Sequence, residues 1–350
     1  TRRGVLAQVD WAHLGHLQIG RARRPLMAFV MVLSHSRMIF LRFFLDARMD
    51  SFLSGHVLAF AAFGGVPRVL LYDNLKSAVL ERKGQAIRFN PTLLALSAHY
   101  RFEARPVAPA RGNEKGRVER AIRYIRTAFF EGRSFTDIDD LNAQADAWVA
   151  GPASARRCPE DSQLSVQQAF DQERSHLMDI PATPFCCDEI RGVTAAKTPY
   201  VRFDLNDYSI PHTHVQRSLT VHASLREVRI LDGQQALASH PRCWDKAQQI
   251  EIEAHVQDLV QHKRGARAHR DTDRLVHALD DTGFDFLAID FVTAPDRGEG
   301  SCRRDSERVH GLAHEVLADH RAAFTLPHRN HRHGRHLAAN PPRFIAAAGV

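Results

Sequence analysis

Residues 4–45 read GVLAQVDWAHLGHLQIGRARRPLMAFVMVLSHSRMIFLRFFL, and the fold turns on how they are patterned. GVLAQV at 4–9 is a short apolar run closed by Asp10, which predicts a strand ending in an acid. A polar turn through Gly15 and Gly20 is expected next. Residues 26–33 and 38–45 are dense in Met, Phe, Val, Ile and Leu. Ser34-His35-Ser36-Arg37 separates them, which predicts a hairpin of buried strands. Downstream, Asp50 and Ser51 can cap a helix that runs through Phe63 and stops at Gly64-Gly65, with Pro67 beyond. VLLY at 69–72 is a fourth strand, closed by Asp73-Asn74. Asn90-Pro91 opens a second helix to about His99, and residues 102–107 form a further strand. Residues 113–130 form a third helix, with Val118, Ile122, Ile125 and Phe129 as an apolar stripe at helical spacing. Three adjacent strands followed by strand–helix alternation predict an α/β fold, a mixed sheet with helices packed on it. Acids fall at the ends of the first and fourth strands, where open α/β sheets place their sites.

The rest of the chain bounds the function. Of 350 residues, 44% are hydrophobic and 25% charged, which excludes wholesale disorder, collagen and a disulfide-dense miniprotein. No run approaches the roughly 18 apolar residues of a membrane span. The five cysteines are Cys158, Cys186, Cys187, Cys243 and Cys302. They are odd in number and lack a C-x-x-C pair, so neither a disulfide framework nor a zinc ribbon is indicated, and a reducing cytoplasm fits. The first residues, Thr1-Arg2-Arg3-Gly4, carry no signal pattern and read as a cut N-terminus. The net charge of +7 is localised. Residues 111–133 hold seven Lys/Arg against three Asp/Glu, and residues 301–350 hold eight against four. Such stretches point to a polyanion, most often nucleic acid, though either one alone also fits a solvated face.

Three acids stand out: Asp10, Asp73 and Glu119. Singly, Asp10 also fits a strand-end turn, Asp73-Asn74 an Asx-turn, and Glu119 a helix-surface acid paired with Lys115 or Arg123. Together, two strand-end carboxylates and one from a helix across the same edge can converge. Magnesium takes hard oxygen ligands, and two such ions about 4 Å apart serve the attacking and leaving oxygens of a phosphodiester. On the third helix Lys115, Arg117, Arg120, Arg123 and Arg126 can track DNA phosphates or form a solvated face; Asn74 and Lys76 can steer a phosphate or belong to the turn. Trp11 fits the core, and His13 and His16 the polar surface. His212, His214, His331, His333 and His336 lack the company a structural metal site requires.

QVDWAHLGHL at 8–17, LLYDNLKSAV at 70–79 and RGNEKGRVERAIRY at 111–124 resemble, in this order, the DDE integrase core of IstA-type insertion-sequence transposases, kin of retroviral integrases. The resemblance covers roughly residues 1–275. It implies an RNase H-like mixed sheet with helices on both faces, followed by a small all-β barrel and a helical or irregular tail. It implies that Asp10, Asp73 and Glu119 bind two Mg²⁺ or Mn²⁺ ions, hydrolyse the element's 3′ ends and join them to target DNA. Glu119 is preferred over Glu114 because it occupies the family's Gly-x-Val-Glu position and borders the buried stripe. The implied partners are DNA, an AAA+ ATPase helper and further copies of the chain, in a bacterial cytoplasm and without a membrane. The family's helix-turn-helix region has no counterpart ahead of Asp10. The expected divisions are a catalytic core at 1–135, a helical extension and linker at 136–198, the β-barrel at 199–245, a helical segment at 246–280 and a basic, poorly ordered tail at 281–350. Two other functions fit the same acids: a metal-dependent nuclease, or a non-catalytic remnant that binds DNA.

Overall fold

The computed structural model describes residues 4–72, 79–83, 86–106 and 112–280; side chains at 79–83, 86–88, 112–115 and 275–280 are not described. The chain splits into two units, Thr1–Ala268 and His269–Val350, and the site lies in the first.

The N-terminal half opens with β1 (Leu6–Ile19), β2 (Ala22–Leu33) and β3 (Ile39–Phe44), then α1 (Met49–Phe63) and β4 (Val69–Tyr72). A hairpin, β5 (Val79–Lys83) and β6 (Ala86–Phe89), precedes α2 (Pro91–Tyr100), β7 (Glu103–Pro106) and α3 (Gly112–Tyr124), which continues as a π-helical turn over Ile125–Phe130. The sheet order is β3-β2-β1-β4-β7. β1, β2 and β3 pair antiparallel, whereas β4 and β7 run parallel to β1. This is the RNase H-like arrangement.

β1 differs from expectation. It does not end at Asp10 but runs nine residues further, paired with β2 as far as Ile19↔Ala22. The ladder slips between His13 and His16, so a β-bulge absorbs Gly15, which has φ 99°. The parallel partner stops earlier: Val9↔Tyr72 is the last pair with β4. Asp10 therefore sits mid-strand, one residue past the end of the parallel half. The hairpin β5–β6 was not anticipated either. Asp50 is not the cap of α1 but lies in its first turn, and Arg48 occupies the N-cap position. Gly64, at φ 67°, closes the helix in the left-handed conformation that glycine adopts without cost.

Strand alternation divides the core between two faces. Ala7 and Val9 face α1 and α2, packing with Phe29, Phe52, Phe60, Leu93 and Tyr100. Trp11 packs at the margin of that core, in edge contact with Phe29 and Phe44. Ala12, Val30 and Leu41 face the other way, onto Val118, Ala121, Ile125 and Phe129 of the α3 segment and onto Leu141 and Trp148 of α4 (Ile138–Trp148). Helices thus cover both faces.

Residues 157–194, expected as linker, hold β8 (Arg157–Cys158), β9 (Asp161–Ser165), α5 (Val166–Arg174) and β10 (Glu189–Thr194). α5 starts on a Ser165–Gln168 capping box and lays Val166 and Phe170 into the α1 face. Beyond come β11 (Tyr200–Phe203), β12 (Asn206–Ser209), β13 (Ser218–Ala223), β14 (Glu227–Asp232), β15 (Gln235–Pro241) and β16 (Gln249–Ile250), then α6 (Glu253–Asp280). They form a four-stranded sheet β10-β13-β14-β15 and a three-stranded sheet β11-β12-β16 around one core of Val201, Phe203, Tyr208, Val221 and Ile230. The alternation of YVRFDLNDYSI at 200–210 predicts a turn at Asn206-Asp207, but the hairpin turns at Asp204-Leu205, both at positive φ, and Asn206 is already in the ladder with Phe203.

This β unit is keyed to the N-terminal half by charge. Asp204 is reached by Arg24 and Arg48, each at 3.2 Å, and by Arg242 at 3.6 Å. Arg242 is fully buried, pairs with Asp50 at 3.1 Å and lies 4.0 Å over the Trp244 ring. Asp245 accepts the N–H groups of Arg21 (2.6 Å) and Ala22 (3.0 Å) at the β1–β2 turn. A side chain at Gly20, φ 55°, would collide with that carboxylate.

Candidate active site

Asp10 shares its face of β1 with Gln8 and Ala12, and Ala12 belongs to the α3 core. Its carboxylate is half-buried, and Oδ1 accepts the N–H of Trp11 at 2.8 Å, which holds the side chain close to its own strand. The neighbouring strand ends level with Val9, at Tyr72. Asp73 follows Tyr72 in sequence and lies outside the described residues, as do Asn74 and Lys76.

The third element is tethered to the first. Gln8, 1% exposed, accepts the backbone N–H of Val118 at its side-chain Oε1, 3.0 Å away. Eight residues on, or about 12 Å of helix rise, Arg126 donates Nη2 to the carbonyl of His13 at 3.3 Å. The helix therefore runs along β1 in the strand's own direction. Burial of Val118, Ala121, Ile125 and Phe129 holds it down, each large side chain contributing on the order of 2 kcal/mol. Glu119, one residue past the Gln8 tether, is exposed beside the buried stripe. The geometry thus sets Asp10 and Glu119 on facing elements, joined by a buried hydrogen bond two residues before the one and one residue before the other. Arg123 and Arg126 recur at i+4 and i+7 from Glu119 and share its face; both are exposed. Arg117 and Arg120 fall on a different face, half-buried and exposed respectively. The side chains of Glu114 and Lys115 lie outside the described set.

Among the described residues no group of three His, Cys, Asp or Glu could hold a metal ion. That set lacks Asp73. Asp10 and Glu119 offer hard carboxylate oxygens, the donor type that suits Mg²⁺ or Mn²⁺.

Two supporting residues were not singled out from sequence. Gln8 is one; its only signal is a lone amide within GVLAQV. The other is His56 on α1. Tyr72, the last residue of β4, is fully buried and hydrogen-bonds His56 Nε2 at 2.9 Å, while His56 Nδ1 contacts the Phe52 carbonyl at 2.7 Å. A carbonyl can only accept, so Nδ1 carries the proton and Nε2 accepts from the tyrosine hydroxyl. Burial pushes the His56 pKa down to about 4, against a weaker opposing pull from the Phe52 carbonyl, so the ring is neutral. This relay anchors β4 at the end that leads into Asp73. A cleft of about 610 Å³ is lined in part by Phe43, Leu58, Ile138, Leu225 and Trp244, and neither Asp10 nor Glu119 is among its lining residues.

Comparison with known proteins adds kinship. Residues 180–252 match the family described as Mu transposase, C-terminal domain. The chain is 34% identical over 191 residues to the transposase for insertion sequence element IS21 of Pseudomonas aeruginosa, covering 53% of this chain and 48% of that protein. It is 31% identical over 242 residues to the transposase for insertion sequences IS1326/IS1353 of the same organism, covering 68% and 47%. The chain thus spans about half the length of these curated relatives. Among solved structures it is similar to the HTLV-2 integrase catalytic core domain in complex with magnesium (TM-score 0.34, 13% identity, 48% of this chain and 97% of that one). It is also similar to a chain of a simian T-cell lymphotropic virus intasome (TM-score 0.36, 15% identity, 68% and 76%). The fold assignment rests on the strand order, not on these scores.

Proposed function

The chain is a relative of the IS21-type insertion-sequence transposases, and on that premise we propose that it carries the metal-dependent DNA-cutting and DNA-joining centre of such an enzyme. The observation that supports this best is the buried Gln8–Val118 bond, which couples the strand of Asp10 to the helix of Glu119. In this reading Asp10, Asp73 and Glu119 hold two Mg²⁺ or Mn²⁺ ions. When bound, such ions activate the attacking oxygen and stabilise the leaving oxygen of an in-line displacement at phosphorus.

The chain's own residues supply position. Asp10 is fixed by its strand and by the Trp11 N–H. Arg123 and Arg126, on the face of Glu119, bind backbone phosphates beside the reacting one and orient the strand. The first step is hydrolysis at the 3′ end of an element; in the second, the freed 3′-hydroxyl attacks a target phosphodiester. No covalent bond to the protein forms in either. The partners in this reading are element and target DNA, an AAA+ ATPase helper and other copies of the chain. Among the described residues no helix is long and apolar enough to cross a membrane; the reading places the protein in a bacterial cytoplasm.

Strand transfer by the purified chain tests this, using pre-cleaved element ends and a supercoiled target with Mg²⁺ or Mn²⁺. Asp10→Asn, Asp73→Asn and Glu119→Gln are each expected to lower joining about a thousandfold, the equivalent of the several kcal/mol such ions supply, with duplex binding retained. Glu114→Gln is expected to join normally. Joining that survives Glu119→Gln would overturn the assignment of the third acid, and cleavage without joining would favour a nuclease.

A further inference from the structure

α3 carries two charged faces. Glu119, Arg123 and Arg126 form the one described above. Arg117, Arg120 and Tyr124, at i, i+3 and i+7, form the other, roughly a third of a turn around. Cations from two distant segments meet this second face. Arg37 sits in the β2–β3 turn, in the left-handed conformation at φ 63°. Arg156, just before β8, lays its guanidinium 4.8 Å over the Tyr124 ring and donates Nη2 to the Arg37 carbonyl at 2.8 Å. Arg37 is ion-paired with Glu160 through Nη2, while its buried Nη1 has no hydrogen-bond partner among the described residues. Burial first, then the charges of Arg117 and Arg120, press the Arg37 pKa below the usual arginine value, with Glu160 and Cys158 opposing. Arg156 is lowered too, by burial.

Four guanidinium groups from three segments thus line one flank of α3, and the ion pair of Glu160 with Arg37 offsets part of their mutual repulsion. Guanidinium groups are the side chains best suited to phosphate, through paired N–H donors. A helix with its side chains is about 10–12 Å across, so phosphates held on this flank differ from those beside Glu119.

We propose that Arg37, Arg117, Arg120 and Arg156 form a second phosphate-binding flank of α3, which takes the backbone of duplex DNA away from the strand at the Asp10–Glu119 face. The proposal rests on the DNA-joining reading above. Arg117 and Arg120 belong to this flank and Arg123 and Arg126 to the reacting one, so the two pairs contact different phosphates and their contributions add. Glu160 competes with DNA for Arg37.

Fluorescence anisotropy of the full chain on a labelled 30-base-pair duplex, at several salt concentrations, tests the proposal. Each phosphate contact contributes a slope of about 0.9 in log K against log salt, or about fivefold in affinity at 0.15 M. Arg37→Gln/Arg120→Gln is expected to bind about thirtyfold more weakly, with the slope shallower by nearly two. Arg123→Gln/Arg126→Gln is expected to lose a similar amount, and the four changes together the product of both. Glu160→Gln is expected to bind more tightly. Arg120→Gln alone, at an exposed helix position, is expected to lose about fivefold with an unchanged circular-dichroism melt, which separates lost contact from misfolding. A wild-type Kd and slope in Arg37→Gln/Arg120→Gln, with Arg123→Gln/Arg126→Gln weakened, would overturn the second flank and leave the DNA reading standing. A wild-type chain that binds no duplex would overturn both. A change in sedimentation mass without a change in DNA affinity would overturn the proposal in favour of a contact between copies.

Discussion

At the scale of the residue, His56 shows how a buried side chain serves the site without touching it. Its ring is neutral, and its tautomer is set by the Phe52 carbonyl. The folded pKa of about 4 lies below the 6.5 of an exposed histidine, so the unfolded chain binds the proton more readily. Stability is then lost as pH falls through 6.5 towards 4, by about 3 kcal/mol over the whole window. Urea unfolding at a series of pH values is expected to show this as an extra slope in wild type that His56→Phe lacks; parallel profiles would remove the relay from the account. Asp10 and Asp73 stand out as candidates in the sequence because each directly follows an apolar run. His56 does not, because its meaning depends on Tyr72, sixteen residues away on another element.

Among elements, the decisive pairing is β1 with α3. Gln8→Leu would remove the side-chain acceptor that ties the Val118 N–H to β1, at a cost of about 1 kcal/mol, and would release the height of α3 on the strand. The strand-transfer rate is expected to drop at least about tenfold, since small misplacements of reacting groups are expensive, while DNA affinity stays near wild type. A rate that merely tracks the folded fraction in a thermal melt would reduce Gln8 to a packing residue. The order of strands and helices in the N-terminal half is legible because the apolar runs are short and well punctuated. The full length of β1 is not, because Gly15 reads as a breaker when a bulge can absorb it. The turn at Asp204-Leu205 was missed for a related reason: leucine at φ 69° has no turn signature, and the hairpin takes its register from the ladder instead.

For the whole molecule, the seam between the N-terminal half and the β unit is held by charge buried from both sides. Burial works to raise the Asp204 pKa, yet Arg48, Arg24 and Arg242 together hold it below the usual range. Arg242→Met would leave Asp50 and Asp204 short of their partner, and removing one member of such a buried set costs about 3–5 kcal/mol. Urea unfolding is expected to separate into two transitions in that variant, with the β unit more open to protease; a single transition at the wild-type midpoint would argue against the seam. None of this could be read along the chain, since Arg24, Arg48, Asp50, Asp204 and Arg242 are remote in sequence and unremarkable singly. The Asp245 clamp on the β1–β2 turn belongs to the same seam and has a consequence in time. Asp245 lies 224 residues after Arg21, and synthesis proceeds at about 5–20 residues per second. The hairpin tip therefore leaves the ribosome about ten to forty-five seconds before the carboxylate that caps it. The strand that carries Asp10 gains its far anchor only when the β unit emerges, so synthesis of that unit is also what finishes the first sheet.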